Sequence, residues 1–172
     1  MNKCVFLDRD GVLNKEVGTY VYRPEEFIIP DGVPQAVYML KEAGFKLVVV
    51  TNQAGIAKGL YTRQQVLQLY EILQQACNGA LDALYFCPYH PKYDSESLSR
   101  KPGSLMLEKA IARFGIDPRQ SWMVGDRQRD LEAAKRVQVK GVFINNQEEQ
   151  APDYAHFVAG NLLDAAVFII NQ

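Results

Sequence analysis

The feature that most constrains the fold is a short, wholly apolar run that ends in acidic residues. Cys4-Val5-Phe6-Leu7 is followed directly by Asp8-Arg9-Asp10-Gly11. A short, continuous apolar run is typical of a strand buried on both faces, as in a parallel sheet covered by helices. Ligands bind at the carboxyl ends of the strands in such sheets. The sequence therefore predicts a buried strand that places Asp8 and Asp10 at a ligand site.

Asp8–Gly11 has two other interpretations, a calcium loop and an ordinary turn. A calcium loop continues with oxygen ligands at alternate positions, but the fifth position here is Val12. Asp and Gly are also common in plain turns. However, the apolar run before the pair favours a functional site. Two buried carboxylates need a cation or a proton to compensate them, so the pair indicates a metal ion and separate roles for the two acids.

Apolar runs alternate with helix-period segments along the rest of the chain. Strands are predicted at Val5–Leu7, Leu47–Val50, Ala83–Phe86, Trp122–Val124 and Val142–Ile144. Helices are predicted at Val33–Ala43, Arg63–Asn78, Leu105–Phe114, Asp130–Val137 and Leu162–Ile170. This alternation predicts an α/β fold with a parallel central sheet and helices on both faces.

Local signals mark the ends of several helices. Asp31 is placed to cap the first helix, and Thr62 with Gln65 forms a capping-box pattern before the second. Gly44, Gly79 and Gly115 stand just past helix ends, where glycine is favoured. The one irregular stretch, Pro88–Gly103, is predicted to be a polar loop.

Length and composition fit one ordinary globular domain spanning residues 1–172, with 48% hydrophobic and 23% charged residues. The formal net charge of -1 gives no general attraction to nucleic acid or membranes. No apolar run approaches the ~18 residues of a membrane span. Three scattered cysteines indicate a reducing compartment. We expect a cytoplasmic, monomeric protein with no nucleic-acid or membrane partner.

Polar groups follow further predicted strands or the long loop, in an order that suits a phosphate. Asp8 offers a carboxylate nucleophile, which can form an aspartyl-phosphate. Thr51 offers a hydroxyl, and Lys101 offers a compact positive charge for phosphoryl oxygens. Asp126 follows a glycine at a strand end and is a natural ligand for Mg²⁺, while Asp130, four residues on, can support the site. Each group alone has a plain structural explanation, and the argument is their joint order.

These motifs resemble those of the haloacid dehalogenase superfamily of phosphatases, over residues 5–130 with a compatible helix–strand tail. The resemblance is to its histidinol-phosphatase and heptose-bisphosphate-phosphatase branch. The segments that carry it are Phe6–Asn14, Val50–Gly59, Cys87-Pro88, Arg100-Lys101-Pro102 and Met123–Arg127. Gly55–Gly59 and Val17–Val21 lean toward the heptose-bisphosphate enzymes. The resemblance implies a three-layer, Rossmann-like fold, and the short gaps between motifs leave no room for a large cap domain.

The resemblance also implies roles. Asp8 would be the nucleophile, and Asp10 would protonate the leaving oxygen and then activate water. Asp8, the backbone carbonyl of Asp10, and Asp126 would hold Mg²⁺. Thr51 and Lys101 would bind the transferring phosphoryl group. Substrate contacts would come from Glu16, Thr19, Asn52, Gln53, Arg100 and Arg127.

The long loop departs from the pattern of this branch, which carries a structural zinc there. Cys87 is present, but Tyr89, Ser97 and Ser99 stand at the other ligand positions, and His90 is one residue late. A closed zinc site needs four nitrogen or sulfur ligands. We therefore expect no structural zinc.

The resemblance implies a Mg²⁺-dependent phosphomonoesterase acting on the 7-phosphate of a D-glycero-D-manno-heptose 1,7-bisphosphate. Histidinol phosphate or another small sugar phosphate is the alternative substrate. A non-catalytic phosphosugar-binding module is the alternative of a different class, and the intact acidic motifs argue against it. An open site also allows larger substrates such as phosphoproteins or nucleic-acid ends, although the charge disfavours nucleic acid.

Overall fold

A single parallel sheet of six strands forms the centre of the molecule, in a computed structural model that describes all residues from 1 to 172. The strands are β1 (Cys4–Leu7), β2 (Lys46–Asn52), β3 (Ala83–Cys87), β4 (Trp122–Gly125), β5 (Lys140–Ile144) and β6 (Phe157–Ala159). Their spatial order is β3-β2-β1-β4-β5-β6, and every pairing is parallel. The predicted parallel α/β fold is therefore confirmed.

Helices cover both faces of the sheet. They are α1 (Gly32–Glu42), α2 (Arg63–Ala76), α3 (Leu105–Phe114), α4 (Gln128–Arg136) and α5 (Leu162–Ile170), with short 3-10 turns at Pro24–Glu26 and Pro118–Gln120. The buried residues of α1 and α5, with Leu69 and Leu73 of α2, belong to one hydrophobic core, and buried residues of α3 and α4 contribute to a second. No helix has the length and apolar character needed to cross a membrane.

Strand β1 shows why this sequence forms the middle of the sheet. Successive side chains of a strand point to opposite faces. Val5 and Leu7 accordingly lie in the first core, while Cys4 and Phe6 lie in the second, and all are fully buried. A strand that is apolar on both faces can only be stable between two layers of helices.

The helix ends follow the sequence signals with one exception. The Thr62 hydroxyl accepts a hydrogen bond from the Gln65 backbone and the reciprocal bond is present, so the capping box is confirmed. Asp31 was the wrong cap for α1, because its own backbone is helical (φ -55°, ψ -34°) and its side chain makes no capping hydrogen bond.

Several boundaries differ from the prediction by one or two residues, and one strand was missed. Strand β6 is a three-residue apolar segment, Phe157–Ala159, that was not predicted. Helix α4 begins at Gln128 rather than at Asp130, because the Asp130 carboxylate accepts a hydrogen bond from the Arg127 N–H and so lies inside the first turn.

The strand order places the ends of β1 and β4 side by side. Strand β2, which follows β1 in the chain, lies on one side of β1, and β4 lies on its other side. Ligands of open α/β sheets bind at such a switch point. The segments after β1 and β4 carry Asp8 and Asp126, so the predicted acidic residues meet at this place.

Candidate active site

Lys101 is the buried centre of the site. Its Nζ lies 2.9 Å from Asp8 Oδ1 and 2.8 Å from Asp130 Oδ1, and it donates a 2.7 Å hydrogen bond to the Val50 carbonyl. Burial opposes the charge of Lys101, but Asp130 and Asp8 outweigh it and raise the pKa of the ammonium group. Lys101 is thus a fixed cation beside the predicted nucleophile.

Asn52 holds the backbone of this lysine. Its Oδ1 accepts from the Lys101 N–H and its Nδ2 donates to the Lys101 carbonyl, both at 3.0 Å. The two residues are 49 positions apart in sequence, so the contact ties the end of β2 to the loop before α3. The Asn52 side chain, predicted to bind substrate, has its amide engaged in this pairing.

Asp8, Asp126 and Asp130 form a cluster of carboxylates that suits a divalent cation. Each offers an oxygen, and these oxygens lie within 4.8 Å of one another. Lys101 is the only cation in ion-pair contact with both Asp8 and Asp130, and Asp126 Oδ1 is buried without a hydrogen-bond donor. An orphaned carboxylate oxygen in an acidic, oxygen-only cluster fits Mg²⁺, which prefers such ligands.

The same cluster perturbs the acids that form it. Burial, followed by the charges of Asp8 and Asp130, raises the pKa of Asp126 to about 7. Burial and the charge of Asp130 also raise the pKa of Asp8, against the opposing effect of Lys101. The ionised cluster is therefore costly until a cation compensates it.

Gly11 makes room for the cluster. Its φ is +84°, which only glycine adopts freely, and a Cβ built there would lie 2.2 Å from Asp126 Oδ2. The turn after β1 therefore needs glycine both for its backbone conformation and for the close approach of Asp126.

Asp10 does not belong to the carboxylate cluster and is held by its own donors. Arg9 Nη2 donates to both of its oxygens at 2.9 and 3.0 Å. Asn14 Nδ2 donates to Oδ1 and Gln53 Nε2 donates to Oδ2, each at 3.1 Å. The Asp8 and Asp10 side chains consequently have different surroundings, as two acids with separate roles require.

Gln53 connects Asp10 to two further residues. Its Nε2 also donates to Thr51 Oγ1 at 3.0 Å, and its Oε1 accepts from the Tyr61 hydroxyl at 2.6 Å. Gln53 is only 2% exposed and Thr51 1% exposed. The structure thus brings the predicted residues Thr51 and Gln53 together with Asp10.

A cleft of about 430 Å³ opens beside Asp10. It is lined by the predicted residues Glu16, Thr19, Asn52, Gln53 and Arg127, and also by Lys58 and Arg129. The side chain of Arg129 is exposed, lines the cleft and makes no ion pair with a carboxylate, so its charge is available to a ligand. A larger cavity of about 600 Å³ lies between the starts of α1 and α5, but neither Asp10 nor Gln53 lines it.

The two predicted arginines differ in their surroundings. Arg127 is paired with Glu148 and lies 3.8 Å from Glu149 and 4.0 Å from Glu16. Arg100 has no carboxylate partner, and its Nη1 reaches only the Tyr89 carbonyl at 3.5 Å. Burial and then the nearby charge of Arg129 lower the pKa of Arg100. Neither Arg100 nor Arg129 makes an ion pair with a carboxylate, although the charge of Arg129 acts on Asp8.

The loop that carries Arg100 is held by hydrogen bonds and aromatic contacts. Ser97 Oγ and Ser99 Oγ lie 2.7 Å apart, and the thiol of Cys87 lies 3.8 Å from the Tyr89 carbonyl. The ammonium of Lys58 lies 5.0 Å from the ring centre of Tyr93.

Several site residues carried no sufficient sequence signal. Asp130 had only its spacing from Asp126, and Lys58 and Arg129 look like surface cations. Tyr61 looks like a core aromatic. Asn146, whose Nδ2 donates to the Asp126 carbonyl and Oδ2 at 3.1 and 3.0 Å, follows a strand without any motif.

The parallel sheet and the aspartate–lysine cluster at its switch point define a hydrolase of the haloacid dehalogenase type. Residues 98–165 match the family model described as HAD-hydrolase-like. A D-glycero-D-manno-heptose-1,7-bisphosphate 7-phosphatase of Chlorobaculum tepidum is 36% identical over 190 residues, covering 99% of this chain and 96% of that protein. A D-glycero-beta-D-manno-heptose-1,7-bisphosphate 7-phosphatase of Haemophilus influenzae is 40% identical, covering 97% and 94%.

A solved structure agrees with these relatives. The D,D-heptose 1,7-bisphosphate phosphatase of B. bronchiseptica, crystallised with magnesium and phosphate, superposes with a TM-score of 0.86 at 29% identity, covering 98% of both chains. This chain belongs to the haloacid dehalogenase-like phosphatases, and the family resemblance of its motifs is confirmed.

Proposed function

We propose that this protein is a Mg²⁺-dependent phosphatase that hydrolyses the 7-phosphate of D-glycero-D-manno-heptose 1,7-bisphosphate through an aspartyl-phosphate. The observation that carries the chemistry is the buried contact of Lys101 Nζ with Asp8 Oδ1 at 2.9 Å, within the carboxylate cluster. The choice of substrate rests on the relatives, which carry that activity in their names over nearly the whole chain.

In the first step, an oxygen of Asp8 attacks phosphorus while the bond from phosphorus to the sugar oxygen breaks. Asp10 gives its proton to that departing oxygen. Lys101 and the Thr51 hydroxyl bind the transferring phosphoryl oxygens, and Lys101 stays in place because Asn52 and the Val50 carbonyl hold it.

In the second step, Asp10 takes a proton from water as the water attacks phosphorus. The bond from phosphorus to Asp8 then breaks, which regenerates the carboxylate and releases phosphate. Asp8 and Asp126, with the carbonyl of Asp10 and support from Asp130, would hold Mg²⁺. The ion would supply positive charge to the phosphoryl oxygens and to Asp8.

The remainder of the substrate lies in the cleft in this proposal. Glu16 and Thr19 line the cleft and would contact sugar hydroxyls, together with Arg127. Arg129, which lines the cleft, and Arg100, which has no carboxylate partner, would receive the second phosphate. Gln53 acts by its hydrogen bond to Asp10, and Asn52 acts by holding the backbone of Lys101. The absence of a structural zinc, the monomeric state and the cytoplasmic location stay predictions.

The test is a phosphate-release assay over both anomers of the heptose 1,7-bisphosphate, histidinol phosphate and p-nitrophenyl phosphate, with Mg²⁺ or with EDTA. We expect kcat/KM for a heptose bisphosphate to exceed that for the other esters by about a hundredfold or more. EDTA should abolish turnover. Equal turnover of all esters would overturn the substrate assignment, whereas binding without turnover would favour the non-catalytic alternative.

A further inference from the structure

The Gln53 amide can serve Asp10 only in one orientation. Its Nε2 donates to both Asp10 Oδ2 and Thr51 Oγ1. These two bonds use both amide hydrogens, so Oε1 needs a donor on its other side. If the amide were reversed, Oε1 would face the Asp10 carboxylate and repel it. The orientation of the Gln53 amide therefore decides whether Asp10 receives a hydrogen bond from it or is repelled by it.

Tyr61 supplies the donor that fixes this orientation. Its hydroxyl lies 2.6 Å from Gln53 Oε1, and Tyr61 is only 5% exposed. Burial raises the pKa of Tyr61, so the hydroxyl keeps its proton. With the amide reversed, the Tyr61 hydroxyl could only accept from the NH₂ group, and its own proton would lose Gln53 Oε1 as an acceptor.

The ring of Tyr61 is itself held in place. It stacks on Tyr22 with ring centres 5.2 Å apart and planes 13° apart, and it lies at 5.9 Å from Tyr20. A Cβ on Gly55 would lie 2.0 Å from Tyr61 Cε1, so the ring occupies the space that this glycine leaves. Tyr61 is thus a rigid support behind Gln53 rather than a residue of the cleft wall.

We propose that Tyr61 is a positioning residue for Asp10, acting through the Gln53 amide to hold that carboxyl where it transfers a proton to the leaving oxygen. This inference rests on the proposed function, in which Asp10 is the acid and base. Tyr61 touches neither substrate nor phosphoryl group in this role. Its effect should therefore depend on how much the leaving group needs a proton.

The experiment compares two leaving groups in Tyr61→Phe, which removes the hydroxyl and keeps the ring. A sugar alkoxide needs a proton as it departs, whereas p-nitrophenolate does not. We expect kcat/KM for the best sugar phosphate to fall about tenfold, with less than about a twofold change for p-nitrophenyl phosphate. Gln53→Met also removes the hydrogen bond to Thr51, so it should lower both values, but the value for the sugar phosphate more. Tyr22→Phe, which removes a neighbouring hydroxyl, should leave both values unchanged.

Asp10→Asn separates this inference from the proposed function. One outcome is that Asp10→Asn shows the leaving-group dependence while Tyr61→Phe lowers kcat/KM equally for both substrates, or for neither. That result would overturn the positioning role of Tyr61 and leave the acid role of Asp10 intact. The burst of leaving-group release reports the phosphorylation of Asp8, before Asp10 is needed as a base. If Asp10→Asn slows this burst equally for both substrates, the acid role of Asp10 fails and the inference fails with it. Thermal unfolding of each variant shows whether a loss on both substrates reflects a damaged fold.

Discussion

At the scale of single residues, the site works by giving two neighbouring carboxylates different partners. Asp8 contacts Lys101 and lies in the cluster with Asp126, whereas Asp10 receives donors from Arg9, Asn14 and Gln53. The backbone turn at Gly11 allows this separation over a few residues. In the proposed mechanism, one carboxylate attacks phosphorus and the other gives a proton to the leaving oxygen.

Asp8→Asn tests the nucleophile. The amide cannot form an acyl phosphate of the same kind, and we expect phosphate release to fall at least about a thousandfold. Acid-quenched wild-type enzyme should yield a phosphorylated peptide containing Asp8, detected by mass spectrometry, and the variant should not. Asp31→Asn, at an exposed side chain that makes no capping bond, is the control. Retained turnover in a clean variant preparation would remove Asp8 from this role.

Gly55→Ala tests the space behind Tyr61. The new Cβ would lie 2.0 Å from the Tyr61 ring, so the ring must move and its hydroxyl should leave Gln53. We expect a loss of about 1–3 kcal/mol in the free energy of unfolding and the same leaving-group dependence as Tyr61→Phe. Gly32→Ala, where the nearest atom is 3.5 Å away, is the matched control. Unchanged kinetics in Gly55→Ala would show that the ring position is unimportant.

At the scale of elements, apolar runs alone gave five of the six strands, because a parallel sheet buries both faces of each central strand. The edge strand β6 is also a short apolar run and was missed, and its exposed Val158 shows that one of its faces is not buried. The predicted ends of β2, β3 and β4 fall one or two residues before the observed ones, but the order of the strands still assigned Asp8, Thr51 and Asp126 to one edge of the sheet.

The side-chain contacts between residues at the strand ends could not be predicted from the sequence. Asn52 was predicted to face the substrate, yet its amide pairs with the backbone of Lys101, 49 residues away. Tyr61 and Asn146 reach the site only through hydrogen bonds whose partners depend on the three-dimensional packing. Sequence order therefore predicts which strand end a group follows, but not which neighbouring side chain uses its donors.

Asp82 shows how one carboxylate joins three elements. It accepts hydrogen bonds from Lys41 of α1 at 2.7 Å, Lys46 of β2 at 3.1 Å and the Leu47 N–H at 2.8 Å, just before β3 begins. Burial opposes its charge, but these bonds outweigh burial and lower the pKa of Asp82. Asp82→Asn should reduce the free energy of unfolding by about 2 kcal/mol at pH 7.

The pH dependence of this loss has a definite sign. Because the pKa of Asp82 is lowered in the folded protein, its contribution is present above the unfolded value and is lost as the pH falls through the folded value. Denaturant unfolding should show the full difference from wild type at pH 7 and a smaller one below about pH 4. A difference that stays constant with pH would mean that the lost charge is not its cause.

At the scale of the whole molecule, the site exists only when the sheet has assembled. Its carboxylates come from the ends of β1 and β4 and from α4, and its lysine comes from the loop before α3. The unfolded chain has no such cluster, so a cation that binds it should stabilise the folded state by mass action. If the cluster binds Mg²⁺ as proposed, metal binding and the stability of the fold are linked.

The pKa of Asp126 makes that link depend on pH. Its folded pKa is raised to about 7, mainly by burial and then by Asp8 and Asp130. Because the pKa of Asp126 is higher in the folded protein than in the unfolded chain, its protonated form stabilises the metal-free fold at low pH. This contribution to the free energy of unfolding is lost as the pH rises through about 7. The metal-free protein should accordingly lose stability between pH 5.5 and pH 8 through this group.

Mg²⁺ should reverse that loss, because it replaces the proton on the cluster. With Mg²⁺ at about 100 times its Kd at pH 8, linkage predicts about 2.7 kcal/mol of stabilisation, a rise of roughly 5–10 °C in Tm. At pH 5.5 the same Mg²⁺ concentration should give a clearly smaller rise, since Asp126 must first lose a proton. Scanning calorimetry with Mg²⁺ or EDTA at both pH values measures this, and Asp126→Asn should reduce both the pH slope and the response to Mg²⁺. An equal rise in Tm at both pH values would show that Asp126 does not take part in binding the ion.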